Sequence, residues 1–354
     1  MQTADVVIAG AGIIGITLAL ELHSAGASVV VLDRGEPGRE ASRAAAGMLV
    51  TQDPDTDPLL LPLARLSAEL YPKFLDGIEA DSGIKVHYET NGAIYVAEEN
   101  EQFSVAPLSP PEAQELEPAL AEHPRAFLLC EQRLDPRLLI QSAVASARKR
   151  GIHIHHEAEV LGVALGPDHR LEVVTRQGRY APGIFVNCAG AWASQIRGCS
   201  APARPVKGQM LAVVAPNCAL HRVIRASHVY LVPRSDGRIV IGSTLEEAGF
   251  DKTVNPETIQ HLHQAAANLV PGMGEASILE AWAGLRPGSP DDLPVLGPGV
   301  LPGSYIATGH FRNGILLAPA TARVMSQFIQ GQAVDLDLKP FSPSRFARSE
   351  LRVG

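Results

Sequence analysis

The chain has 354 residues, 46% of them apolar, a net charge of −8 and no long basic stretch. That length exceeds what one compact core usually holds, so two domains are expected, and the acidic balance argues against a nucleic-acid partner. Four cysteines with no C-x-x-C pair among them read as reduced thiols of a cytoplasmic protein.

Ala4–Ala9 is a short run rich in Val and Ile, as a buried parallel strand would be. Gly10-Ala11-Gly12-Ile13-Ile14-Gly15 follows. Ile14, Leu18, Leu22 and Ala25 then recur at helical spacing until Gly26, and Ser28–Leu32 reads as a second strand ending at Asp33. Together they make a βαβ unit about 30 residues long. Val6–Leu20 is also an uncharged run of 15 residues, which resembles a signal-peptide core. No Lys or Arg precedes it, Asp5 does, and it is too short for a bilayer, so neither secretion nor a membrane span is expected.

The glycine turn carries the first chemistry. Gly10 permits the tight turn, Gly12 lets a pyrophosphate approach the backbone, and Gly15 lets helix and strand pack closely. The helix N-terminus offers free N–H groups to the phosphates. Asp33 follows Gly15 by 18 residues, where a carboxylate can bind both ribose hydroxyls and repel a 2′-phosphate. This does not separate NAD from FAD. Next, Ser42-Arg43-Ala44-Ala45-Ala46-Gly47-Met48-Leu49 is a run of small residues. It suits backbone lying against a flat ring system, or equally a tightly packed helix start.

Asp53–Pro58 reads as a solvated loop. Ser109-Pro110-Pro111-Glu112 resembles a capping box, and Asp135 and Pro136 open a helix that Gly151 closes. Arg148-Lys149-Arg150 falls at that helix end, where cations complement the dipole. Ile152–His155 should be a strand. No metal is expected at His153, His155 and His156, because no helical H-E-x-x-H accompanies them. Gly183–Asn187 and Tyr305–Thr308 read as strands running into glycine, and Asn255-Pro256 starts a helix that Pro271-Gly272 stops. The absence of any Gly-Lys dipeptide excludes a P-loop. Helices alternating with short apolar strands give an α/β fold. The segments 85–130 and 205–280 differ, with alternating strands at Ile94–Ala97, Val229–Val232 and Arg238–Gly242. They are expected to form an inserted, largely antiparallel domain within a dinucleotide-binding domain of residues 1–84, 131–204 and 281–354.

Near the end of the chain, His310, Arg312 and Asn313 sit between Gly309 and Gly314, just before the apolar helix-like run Ile315–Ile329. The blocks "AGAGIIG", "SRAAAGML", "VKGQML", "AWAGLRPGSPD" and "GHFRNGILLAPAT" resemble the FAD-dependent D-amino-acid oxidase superfamily. Within it they are most similar to the glycine oxidases of thiamine biosynthesis. The matching blocks run from residue 5 to about 330.

The resemblance implies a Rossmann-like FAD-binding domain with an inserted substrate-binding domain at the limits given above. Gly10, Gly12, Ile13, Ile14 and Gly15 would form the pyrophosphate turn, and Asp33 and Arg34 would meet the adenosine. Ala41, Ser42, Ala46, Gly47 and Met48 would line the flavin, Val160 would meet the adenine, and Gly190 would close over the dinucleotide. His310, Phe311, Arg312, Asn313, Gly314, Ile315 and Leu316 would wrap the isoalloxazine, with a cation and a helix starting near Leu316 facing its electron-rich edge. Arg286 would receive the substrate carboxylate through its guanidinium fork. Tyr230, with His228 beside it, would cover the substrate, and Met48 and Arg312 would also face it. The implied reaction is hydride transfer from Cα of glycine or another small amino acid to flavin N5. It yields oxo acid, ammonia and hydrogen peroxide without an acid–base residue at Cα. O2 is the implied acceptor, with a dehydrogenase that passes electrons to a quinone or carrier as the alternative. Some relatives attach flavin through a late cysteine. Here Cys218 is the last and none is expected in the flavin blocks, so the FAD should be noncovalent. A lid is expected in Leu245–Pro256, and a homo-oligomer is implied.

Overall fold

In the computed structural model, which describes residues 2–51, 56–99, 101–123 and 125–346, the chain builds two large sheets and one small one. Gln2–Ala9 is central to an eight-stranded sheet, with Val29–Leu32 and Arg179–Asn187 parallel on either side. His153–His155 extends it in parallel beyond Val29–Leu32, and Ser304–Thr308 does so beyond Arg179–Asn187. Val295–Pro298 completes that edge antiparallel, and the hairpin of Val160–Leu165 and Leu171–Thr175 branches from Arg179–Asn187. Val29–Leu32 is buried at every position, as a parallel strand covered on both faces must be.

One face of this sheet is packed by helices Ile13–Ser24, Leu61–Ser82, Pro136–Lys149 and Gly314–Ile329. Asp135 caps the third by accepting the Arg137 N–H at 2.8 Å, with Pro136 in the first turn. The Arg150 guanidinium at its far end binds Asp81 at 2.6 Å. Helix Leu61–Ser82 has a proline in its first turn and Gly83 at φ +74° after its end, yet it also contains Pro72. Burial decides it: Leu63, Ala64, Ser67, Tyr71, Leu75 and Ile78 form one inward stripe. The last helix begins at Gly314, two residues before the expected start near Leu316. Of the expected loop 53–58, only residues 56–58 fall within the described residues. There, Asp57 accepts the Leu59 N–H at 2.8 Å.

The second sheet has seven strands in the order Ser277–Gly288, Arg204–Val214, Ile239–Gly242, Tyr230–Pro233, Val223–Arg225, Ala93–Val96 and Ala126–Leu129. Only the pair Val223–Arg225 with Ala93–Val96 is parallel. Ser277–Gly288 runs unbroken across position 280 and pairs with Arg204–Val214 along its length. Register places Trp282, Met210, Gly242, Tyr230, Arg225, Tyr95 and Phe127 in one row across all seven strands. Helix Pro256–Leu269 packs on this sheet, capped by Asn255 accepting the Glu257 N–H at 2.8 Å. The third, two-stranded sheet pairs Met48–Leu49 with Gln132–Arg133. Among the described residues no helix is long and apolar enough to cross a membrane.

Candidate active site

A cavity of about 380 Å³ lies where the two large sheets meet. Its wall includes Gly10, Gly12, Ile13, Ile14, Asp33, Arg34, Ala41, Ser42, Ala46, Gly47, Met48, Val160 and Gly190. It also includes His228, Tyr230, Arg286 and the residues from His310 to Ile315. Of the expected site residues, Gly15 and Leu316 do not reach it. A Cβ on Gly15 would lie 1.9 Å from the Gly10 carbonyl oxygen, so that glycine serves helix–strand packing. Leu316 is a core side chain.

Gly10 has φ +103°, and a Cβ there would meet the Cys188 carbonyl oxygen at 2.3 Å. Ala11 donates its N–H to Asp33 Oδ2 at 2.6 Å, Gly35 donates to Oδ1 at 2.9 Å, and Ile13 donates to Ser42 Oγ at 2.9 Å. Asp33 therefore holds the glycine turn in shape while each oxygen keeps a lone pair for a further donor. Burial raises the Asp33 pKa, and the two N–H donors oppose that rise. The N–H groups of Gly12 and Ile14 have no acceptor among the described residues. At this end the Arg34 guanidinium lies 4.3 Å over Trp192, whose ring stacks on Phe250 at 5.3 Å. Lys252 binds Glu40 at 3.0 Å. The expected lid segment thus reaches over the Asp33 end of the cavity.

The Ala44–Gly47 loop presents the same polarity. Gly47 has φ +79°, and a Cβ there would lie 2.1 Å from the Leu134 carbonyl oxygen. The Ala46 and Gly47 N–H groups have no acceptor among the described residues.

Opposite stand two second-sheet side chains that cross glycines. Arg286 lies over Gly208, where a Cβ would be 2.3 Å from its nearest guanidinium nitrogen. It donates to the Thr244 carbonyl at 3.1 Å and to Ser243 Oγ at 2.6 Å. No carboxylate lies within 4.0 Å of it among the described residues. Burial lowers its pKa, and the nearby Arg312 charge adds to that. Tyr230 leans over Gly242, with its hydroxyl 3.7 Å from Met210 Sδ. His228 is exposed at the rim, 3.8 Å from Glu98. Sequence reasoning missed Gly208, Gly242, Met210 and Ser243 as shapers of the site. A glycine inside a strand was the available signal.

Of the two chargeable side chains in the 309–316 segment, only one is a cation. His310 is no cation. It is 2% exposed, its Nε2 lies 3.0 Å from Thr321 Oγ1, and burial lowers its pKa to about 3. Arg312 carries the positive charge alone, stacked on the Phe311 ring at 5.4 Å. Phe311 donates its N–H to the Pro287 carbonyl at 2.9 Å, which ties this turn to the one bearing Arg286. Cys188, against the Gly10 turn and outside the flavin blocks, also lines the cavity. Burial raises its pKa, so it stays a protonated thiol rather than a nucleophile.

The family model for FAD dependent oxidoreductases (DAO) matches residues 5–328. The glycine oxidase of Pseudomonas aeruginosa is 33% identical, with 96% of this chain and 98% of that protein covered. The bifunctional protein ThiO/ThiG of Synechocystis sp. is 34% identical over 97% of this chain and 54% of its own length. The crystal structure of glycine oxidase from Geobacillus kaustophilus superposes with a TM-score of 0.93 at 31% identity, covering 98% and 99% of the two chains. The residues present fit FAD: bare N–H groups at Gly12 and Ile14 suit a pyrophosphate, and those of Ala46 and Gly47 suit a flat heteroaromatic ring. With a nearly full-length match and a cavity whose backbone donors await this cofactor, the chain belongs to the family of FAD dependent oxidoreductases called DAO.

Proposed function

We propose that the chain oxidises glycine and other small amino acids, such as sarcosine and small D-amino acids, to the oxo acid, hydrogen peroxide and the freed amine, which is ammonia from a primary amino acid and methylamine from sarcosine. The observation that carries this reading is Arg286: a largely desolvated guanidinium facing the cavity with no carboxylate within 4.0 Å among the described residues. A substrate carboxylate supplies that partner through two parallel hydrogen bonds. Thr244 and Ser243 hold the fork from behind, and Tyr230 covers the bound molecule beside it. Gly12 and Ile14 would hold the pyrophosphate, Asp33 the ribose, and Val160 the adenine wall. Ala46 to Met48 and Gly314 to Ile315 would hold the ring, with Arg312 and the helix N-terminus giving positive potential at one end. Bound noncovalently, FAD would supply the hydride acceptor for the substrate Cα–H and the route for the electrons to O2. The chain's own contribution is orientation and charge.

In the cell, the resulting imine would supply thiazole synthesis for thiamine, a reading supported by the similarity to the ThiO/ThiG protein. The eight-stranded sheet with its helices is read as the cofactor domain and the seven-stranded sheet as the substrate domain. Peroxide release across a panel of glycine, sarcosine, D-alanine and D-proline in air tests the proposal. Turnover with an artificial quinone but no peroxide would replace the oxidase with a dehydrogenase. No flavin reduction by any of the four would end the reading.

A further inference from the structure

In the Ala44–Gly47 loop the Ala46 and Gly47 N–H groups have no acceptor among the described residues, while its Ala44 and Ala46 carbonyls are bound by side chains outside the cavity. Trp282 Nε1 donates to the Ala44 carbonyl at 3.1 Å. Arg234 Nη2 donates to the Ala46 carbonyl at 2.6 Å, and its Nη1 donates to Leu134 at 2.9 Å. Leu134 in turn donates its N–H to the Gly47 carbonyl at 3.0 Å, so one guanidinium locks both ends of a small closed circuit. Neither Trp282 nor Arg234 lines the cavity. Both are well held. The Arg234 side chain is 6% exposed, with Asp135 Oδ2 at 3.9 Å. The Arg137 guanidinium lies 4.8 Å over the Trp282 ring and binds Glu280 at 2.6 Å.

Trp282 comes from the second sheet and Arg234 from the residue just after its strand Tyr230–Pro233, and each sits four residues from a side chain that faces the substrate region. Trp282 and Arg286 share the strand Ser277–Gly288, and alternation puts them on one face roughly 13 Å apart. Between them Gly284 passes the loop so closely that a Cβ would lie 2.5 Å from Ala44 Cβ. Arg234 follows Tyr230 by the same four positions but lies one residue beyond the strand Tyr230–Pro233.

We propose that Trp282 and Arg234 are positioning residues for the flavin. By binding the carbonyls of Ala44, Ala46 and Leu134, they fix the loop's N–H groups toward the ring and set its distance from Arg286 and Tyr230. The substrate sheet thereby places the cofactor loop and the substrate anchor with one rigid element. This rests on the proposed seat of the ring against Ala46 and Gly47.

Three variants of the full chain test it: Trp282→Phe, which keeps the ring and removes the donor, Arg234→Lys, and Ala46→Pro. The apoprotein is titrated with FAD, and the visible spectrum and steady-state constants of the holoprotein are recorded. Loss of one such hydrogen bond is expected to weaken FAD binding about tenfold in Trp282→Phe, with a shifted flavin band and a fall in kcat larger than any rise in KM. Arg234→Lys, able to serve one carbonyl at a time, should show a smaller shift in the same direction. If both variants keep wild-type FAD affinity and spectrum and only melt earlier, the two residues are structural and the proposal fails. Ala46→Pro removes one loop N–H, and Ala45 already has the extended backbone (φ −65°, ψ 153°) that precedes proline. Unchanged FAD binding there would overturn the ring's seat itself, whereas an effect there with none in the other two would overturn the anchoring alone.

Discussion

Tyr71 donates its hydroxyl to the carbonyl of Ile315, the acceptor that Pro319 leaves without a helical N–H. A proline at 319 cannot bond the carbonyl four residues back, and its ring pushes that turn open. The next link is opened as well. Ser67 Oγ donates to the Leu316 carbonyl at 2.6 Å and accepts the Ala320 N–H at 3.1 Å, so a hydroxyl sits inside the ladder. Helix Leu61–Ser82 thus repairs the first turns of the helix whose N-terminus faces the cavity.

Removing the repair should leave a buried acceptor unpaired. Tyr71→Phe is expected to lower stability by about 1–3 kcal/mol in urea unfolding of the apoprotein. Adding Pro319→Ala returns an N–H for the Ile315 carbonyl, so the double variant should regain part of that loss. Equal effects of Pro319→Ala with and without the tyrosine hydroxyl would refute the coupling.

Arg286 and Gly208 form a second coupled pair. Arg286→Ala should lower kcat/KM on glycine about 100- to 1000-fold, since a charge-assisted fork is lost, with FAD affinity retained. A Cβ at 208 collides with the guanidinium, so Gly208→Ala should reproduce much of that loss while leaving the charge in place. Wild-type turnover in the first variant removes Arg286 from the substrate site.

His310 gives the fold a defined acid sensitivity. Its folded pKa of about 3 is below the ordinary value of 6.5, so above pH 6.5 both states are neutral and nothing is lost. As pH falls from 6.5 toward 3, only the unfolded chain gains the proton, and stability declines by about 1.4 kcal/mol per pH unit. Between pH 7 and pH 5 the wild type should therefore lose about 2 kcal/mol more than His310→Gln. Parallel urea curves for the two proteins would contradict this.

The Phe250–Trp192 stack fastens the segment above the Asp33 end of the cavity. Such a stack is worth about 1 kcal/mol, so Phe250→Ala should speed tryptic cleavage after Lys252 several-fold. An unchanged cleavage rate would show that the Lys252–Glu40 pair alone suffices.

Local signals were readable, and distant pairings were not. The turn at 10–15 declared itself, because a strand, three glycines, a helix and an acid at the right distance need only about 30 residues of context. Asp135 and Asn255 marked helix starts for the same reason, since a cap acts on N–H groups two and three positions away. Pro319 was visible inside an apolar run, but the hydroxyls that rescue it, of Tyr71 and Ser67, lie 244 and 253 positions before their partners Ile315 and Ala320. Nothing in the helix Leu61–Ser82 marks Ser67 and Tyr71 as partners of another helix. His310 read as a possible cation because a sequence carries no measure of burial. Trp282 and Arg234 stayed hidden because their targets are main-chain carbonyls, which leave no trace in residue identity.

The cross-strand row of Trp282, Met210, Gly242, Tyr230, Arg225, Tyr95 and Phe127 joins residues of seven strands, some near in sequence, as Arg225 and Tyr230, and some distant, as Arg225 and Tyr95. Met210, Tyr230, Arg225 and Tyr95 of this row line the cavity, so touching wall positions come from different strands and are not consecutive in sequence. A mutant library meant to retune which amine is accepted has to diversify Met210, Tyr230 and Arg225 in combination. Scanning them one at a time would explore the wall a tile at a time and miss the swaps in which a larger residue fills space that its neighbour vacates.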